Sequence, residues 1–156
     1  MKYSFMSFST PALSLAEMVE VAQRYGYDGI EPRLDANHAH GIEVSLSKPQ
    51  RDAIRSRTAE CGVEISCLAT SLTFADPSTA DAMVQQAHER IDLAGDVGAP
   101  VLRVFGGKLA EGLDREDAVE LVAGSLRRVA DHAAERKVTL CVETHDDWCD
   151  PAHVAA

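Results

Sequence analysis

Glu143 and His145 stand two residues apart in the run Val142-Glu143-Thr144-His145-Asp146-Asp147-Trp148. The residues before them, 138–144, are apolar and β-branched, which predicts a strand. Side chains alternate along a strand, so Glu143 and His145 point to one side at its carboxyl end. A carboxylate and an imidazole converging there suit a divalent-metal site or an acid–base pair. Leu140 and Val142 face the other way. Glu31 and Arg33 repeat the pattern after the short run Gly29-Ile30-Glu31-Pro32. Both again share a side, where they would hold a polyol hydroxyl or a carbonyl, or form a salt bridge that stabilises the loop. Arg103 lies inside the apolar run 101–105, where a charge is costly unless paired. It is expected to find an inward acid. Gly106-Gly107 follow it and permit close approach by a ligand, or a plain turn. His38 and His40 fall in a polar stretch that reads as a surface loop. His88 and His132 sit in helical patterns, as packing or surface residues.

These groups need elements to carry them, and the chain supplies an alternation. Residues 3–8 form a first apolar run. Ser14 and Glu17 are spaced as a capping box, apolar residues follow at helical spacing, and Gly26 ends the helix. Ser47-Lys48-Pro49-Gln50 opens a second helix that Gly62 closes. Residues 63–70 predict a third strand. Asp76-Pro77 is read as the start of a third helix, with Asp as N-cap and Pro at the first helical position. That helix runs to Val97 and stops at Gly98. The run 101–105 is a fourth strand. Asp114 caps a fourth helix ending near Arg136-Lys137, and 138–144 is the fifth strand. Residues 151–156 begin another helix. The order β-α-β-α-β-α-β-α-β requires parallel strands with right-handed crossovers, an α/β fold.

The length is 156 residues, ordinary for one domain, with 46% hydrophobic and 26% charged residues. Fifteen basic against 25 acidic residues give a net charge of -10. Such a surface repels phosphate backbones and anionic lipids, so neither nucleic acid nor a membrane is an expected partner. No apolar run is long enough to span a bilayer, and Met1-Lys2-Tyr3-Ser4-Phe5 has no signal-peptide core. A cytoplasmic protein is expected. Cys61, Cys67, Cys141 and Cys149 include no C-x-x-C pair and read as reduced thiols. Two architectures accommodate the pattern: an open doubly wound sheet of the flavodoxin kind, or part of a β/α barrel. In both, chemistry sits at the carboxyl ends of the strands. Ser7-Phe8-Ser9-Thr10-Pro11-Ala12 has hydroxyls but no glycine to close around a phosphate, which disfavours a flavodoxin-like binding module.

Three stretches resemble one family. Gly26-Tyr27-Asp28-Gly29-Ile30-Glu31 resembles the second-strand signature of the xylose isomerase-like TIM barrels, the sugar phosphate isomerase/epimerase superfamily. Asp92-Leu93-Ala94 through Gly98-Ala99-Pro100-Val101, with Val104-Phe105-Gly106-Gly107, resembles its third helix and fourth strand. Val142 to Trp148 is similar to its fifth. The resemblance implies a (β/α)8 barrel of which residues 1–156, as a single domain, are the part containing the first five strands. It implies metal-assisted proton transfer next to the carbonyl of a ketose or related polyol, phosphorylated or not. The metal would be manganese, magnesium, cobalt or zinc. Glu143 would be a metal ligand and the catalytic acid or base. His145, Glu31 and Arg33 would bind substrate. The remaining ligands belong to strands 6 to 8, beyond the five seen here. A second reading is therefore a half-barrel without catalysis. Open edges on the first and fifth strands, with an apolar inner face, would then drive self-association or recruit a partner. The related abasic-site endonucleases need histidines after strands 3 and 4, where this chain has Thr70-Ser71 and Gly106-Gly107.

Overall fold

A computed structural model describes residues 1–155. Six short strands and five helices alternate: β1 (Ser4–Met6), α1 (Leu15–Tyr25), β2 (Gly29–Glu31), α2 (Lys48–Glu60), β3 (Glu64–Ile65), β4 (Leu68–Thr73), α3 (Ala80–Val97), β5 (Val101–Phe105), α4 (Arg115–Glu135), β6 (Thr139–Glu143) and α5 (Pro151–Ala155). All pairings are parallel. The order runs strictly along the chain, β1-β2-β3 and then β4-β5-β6. A flavodoxin-like sheet would instead place β1 inside, in the order 2-1-3-4-5. That alternative is overturned, and a sequential order is what a barrel wall requires. Of residues 151–156, Ala156 lies outside the described residues. No helix among those described is long and apolar enough to cross a membrane.

The strand expected over 63–70 is two pieces. β3 pairs with β2, β4 pairs with β5, and the register slips between Ala69 and Thr73. The hydroxyl of Thr70 accommodates the slip, donating to the Arg103 carbonyl (2.8 Å) and accepting from Leu72 N–H (3.2 Å). The sheets stay joined because Ala69 N–H donates to Pro32 O (3.0 Å) and Leu34 N–H to Ala69 O (2.8 Å). A local loss of regular pairing is how a sheet bends, and here it curls the five barrel strands into one wall. Gly29 is required in that wall, since a Cβ there would lie 2.8 Å from the Glu64 carbonyl oxygen.

The caps follow the reading at Ser14, Ser47 and Asp114. They depart from it at Asp76, which heads a turn and not the helix. Its carboxylate accepts from Ser78 N–H (2.8 Å) and Ser78 Oγ (2.6 Å), and α3 starts only at Ala80. The core lies between the convex side of the wall and the helices, where Ile30, Leu68, Leu102 and Val104 meet Met18, Ile91 and Val129. The concave side is mixed and not the apolar face expected, with Met6, Phe8 and Phe105 sharing it with charged groups. The inward positions of β2, β5 and β6 and the segment after β2 hold Glu31, Arg33, Arg103, Cys141 and Glu143, all outside the buried core.

The helices are also tied by charge. Asp96 in α3 receives Arg136 Nη2 (2.6 Å) and Arg51 Nη1 (3.2 Å), and Lys48 Nζ lies 3.8 Å away. Gly95 makes room, since a Cβ there would sit 2.9 Å from Arg136 Nε. Burial alone would raise the Asp96 carboxyl, but hydrogen bonds from Arg136 and Arg51 outweigh it and hold it below its ordinary 3.8. A depressed folded-state pKa contributes stability that is complete above the unfolded value and lost as pH falls through the folded one. Asp96→Asn is therefore expected to cost about 2 kcal/mol in urea unfolding at pH 7. It should also flatten the loss of stability below about pH 4. An unchanged acid limb would remove Asp96 from this role.

Candidate active site

The carboxyl ends of the strands surround an open depression of about 520 Å³. Its walls are Met6, Phe8, Arg33, Ser71, Thr73, Arg103, Phe105, Glu143, His145 and Asp146. Strand alternation brings Glu143 and His145 to it, as their spacing implies. Arg33 reaches it from the segment after β2. Glu31 is not among the walls. It is half-buried beside β1, its backbone opposite Met6.

Arg103 meets its acid here. Its Nη1 lies 2.6 Å from Glu143 Oε2, and its guanidinium lies over the Phe105 ring, 4.4 Å from the centroid. Arg103 is 11% exposed and Glu143 is 43% exposed, so the pair is anchored at the arginine and open at the carboxylate. Glu31 feels both: burial pushes its carboxyl above the ordinary range, the charge of Arg103 opposes this, and Glu143 adds to it. His145 stacks edge-on against Phe105 (5.2 Å), and its Nδ1 is 3.1 Å from Asp146 Oδ2.

Arg33 is held on every side. Its guanidinium donates to the Thr70 carbonyl and Ser71 Oγ and lies over Phe8. Its N–H donates to Ser7 Oγ (2.8 Å), which lies 2.9 Å from His38 Nδ1. Its carbonyl accepts from His40 Nε2 (3.2 Å), while His40 Nδ1 accepts from Ile42 N–H (3.0 Å). His40 is thus no surface histidine. It is buried, and burial lowers its pKa, in keeping with a neutral ring that donates at one nitrogen and accepts at the other. Its partners are backbone groups, which residue types do not reveal. Ser7 and Asp146 were also missed as parts of the site. A polar residue just beyond a strand's carboxyl end was the available signal for both.

Packing requires glycine at both Gly106 and Gly107. A Cβ on Gly106 would lie 2.4 Å from Trp148 Nε1, and one on Gly107 would lie 2.6 Å from Thr73 Cβ. Trp148 is buried there and donates Nε1–H to the Gly107 carbonyl (2.7 Å). Leu109 N–H donates to Asp147 Oδ2 (2.9 Å). This anchors the segment that carries His145 and Asp146. The four cysteines are free thiols, and burial pushes Cys67 up to about 12, which leaves it protonated and inert.

The divalent metal that the resemblance implies does not fit the donors present. Among the described residues no group of three His, Cys, Asp or Glu side chains is placed to hold a metal ion. The one carboxylate at the expected position is engaged by Arg103.

A model of the xylose isomerase-like TIM barrel family matches residues 19–155. The L-ribulose-5-phosphate 3-epimerase UlaE of Salmonella paratyphi B is 29% identical over 136 residues, covering 83% of this chain and 48% of that protein. Among solved structures, D-psicose 3-epimerase in the presence of D-fructose superposes with a TM-score of 0.75 at 15% identity, covering 96% of this chain and 54% of that one. The IolI protein with a bound zinc atom superposes with a TM-score of 0.75 at 16% identity, covering 91% and 51%. The chain spans about half the length of the curated relatives it matches. These two structural likenesses concern the fold, and the family match agrees with it over most of the sequence. On that agreement, the chain belongs to the xylose isomerase-like TIM barrel family.

Proposed function

We propose that this chain carries the Glu143 side of the active site of a sugar or sugar phosphate isomerase or epimerase, an enzyme that moves a proton at the carbon next to a carbonyl. The observation that supports this best is Glu143 itself. It is an open carboxylate at a strand's carboxyl end, backed at 2.6 Å by a part-buried arginine and bordering the depression. The relationship to an L-ribulose-5-phosphate 3-epimerase over 83% of the chain points to the same reaction class.

In this reading the Glu143 carboxylate takes the proton from carbon, and the C–H electron pair moves towards the carbonyl oxygen to give an enediolate. Protonation cancels the charge on Glu143 and leaves Arg103 unpaired. Its field then acts on the negative charge that has just developed, which stabilises the transition state more than the ground state. The exposed Glu143 carboxyl trades that proton for a solvent deuteron, and delivery of the deuteron to carbon completes exchange. One carrier suffices for exchange on one face, whereas inversion needs a second on the other face. His145, Arg33 and Glu31 are read as substrate contacts. Any divalent metal would need donors additional to those of this chain, with Glu143 as one ligand.

The test is incorporation of solvent deuterium next to the carbonyl of ketoses and ketose phosphates, followed by NMR. Exchange that depends on Glu143 supports the reading, and no exchange with any of them removes it.

The outer edges of β1 and β6 pair with no strand among the described residues. We propose that they pair with each other across two copies of the chain. Light scattering at micromolar concentration is expected to give a dimer mass, and a sharp monomer peak would refute it.

A further inference from the structure

Two cations border the depression, and their situations differ. Arg103 is neutralised by Glu143 at 2.6 Å. Arg33 has no carboxylate within 4.0 Å among the described residues, although it is partly buried. Of the two acids nearest to it in sequence, Asp35 is taken by Arg90 at 2.8 and 3.1 Å, and Glu31 feels the charges of Arg103 and Glu143. A partly buried charge without a counter-ion is costly, and structures seldom keep one that nothing uses.

This one is also fixed. Ser7 and His40 hold its backbone from both sides, and His38 backs Ser7. Thr70 and Ser71 hold the guanidinium, and Phe8 lies beneath it. A flat guanidinium fixed in advance is the group best shaped to take two oxygens of a phosphate or carboxylate. The hydroxyl-bearing residues Ser71 and Thr73 line the same space. The opening is within the size range of small-molecule sites.

We propose that Arg33 is the seat of an anionic group on the substrate, so that this site takes sugar derivatives carrying a phosphate or a carboxylate in preference to neutral ketoses. The inference rests on the reading of the depression as the substrate site. The anion on Arg33 fixes one end of the ligand, and the wall opposite presents Glu143 to the carbon next to the carbonyl.

Calorimetric titration of the full chain at low ionic strength tests this without turnover. The probes are inorganic phosphate, a pentulose phosphate, a sugar acid of the same length and the neutral pentulose. Inorganic phosphate and at least one acidic sugar are expected to bind. The tighter of the two acidic sugars tells which anion the site is built for. Arg33→Gln is expected to weaken the acidic ligands roughly 10- to 100-fold while leaving the neutral sugar within about twofold. Arg33→Lys, which keeps the charge and loses the fork, should fall between. Equal weakening of all ligands, or acidic sugars binding no tighter than the neutral one, would overturn the proposal. Should Glu143-dependent exchange be seen while Arg33→Gln leaves the anion preference intact, the anion seat fails and the proton-transfer reading stands. Should no exchange be seen while the preference depends on Arg33, the reverse holds.

Discussion

Trp148→Ala is expected to lower folding stability by about 3–5 kcal/mol, the usual cost of truncating a buried large aromatic. Trp148 is 2% exposed, and its indole lies where a Cβ on Gly106 would be. Alanine would leave a cavity against that glycine and strip the Gly107 carbonyl of its 2.7 Å hydrogen bond. For a domain with about 5–15 kcal/mol in hand, such a loss is a large fraction. Gly106→Ala attacks the same contact from the other side. Its new methyl would sit 2.4 Å from Nε1, so the indole must leave, and a cost of about 1–3 kcal/mol is expected. The two changes touch one contact and should not add: once the indole is gone, Gly106→Ala should be nearly free. Urea unfolding of both single variants and the double variant measures this. Full additivity would mean that Trp148 does not hold the loop through Gly106. Because His145 and Asp146 lie on the anchored segment, both single variants should also weaken binding in the depression.

That contact shows where reading the sequence stopped. Gly106-Gly107 after a strand permits a ligand or a tight neighbour equally, and the deciding group is a tryptophan from beyond the next helix and strand. His40 was hidden for the same reason, since its partners are the backbone groups of Arg33 and Ile42. The break at Ser66-Cys67 arises from curvature shared by five strands, and no local pattern encodes it. Local alternation did carry Glu143 and His145 to one side. The cost of a charge inside an apolar run carried the pairing of Arg103 with an acid, though not which acid. The parallel order followed from strands and helices taking turns. Thus periodicity and single-residue costs were legible, while contacts chosen by tertiary approach were not. The mixed character of the inner wall belongs to the second group: the inward residues of short strands are too few to show a pattern.

Glu143→Gln is expected to reduce deuterium exchange by roughly 10²–10⁴-fold, the span of a lost general acid–base. Glutamine keeps the shape and can still accept from Arg103 through its amide oxygen, so the wall should stand. What disappears is the group that takes the proton, together with the charge whose cancellation releases Arg103. The loss should therefore fall on kcat with KM little changed, as for an interaction made in the transition state alone. Glu143→Asp separates chemistry from placement. It keeps the carboxylate but draws it back along the strand end, and a misplacement of about 1 Å can itself cost about 10²-fold. The rival carrier is Glu31, whose carboxyl burial holds above the ordinary range and which feels the charges of both Arg103 and Glu143. A base with a raised pKa loses its proton only at higher pH, so exchange carried by Glu31 would show its acid limb displaced upward, and Glu31→Gln would abolish it. Exchange that survives Glu143→Gln within about tenfold and vanishes in Glu31→Gln would transfer the role. Loss in Glu143→Gln, with a Glu31→Gln defect seen mainly in KM, would keep it where the strand end presents the open carboxylate.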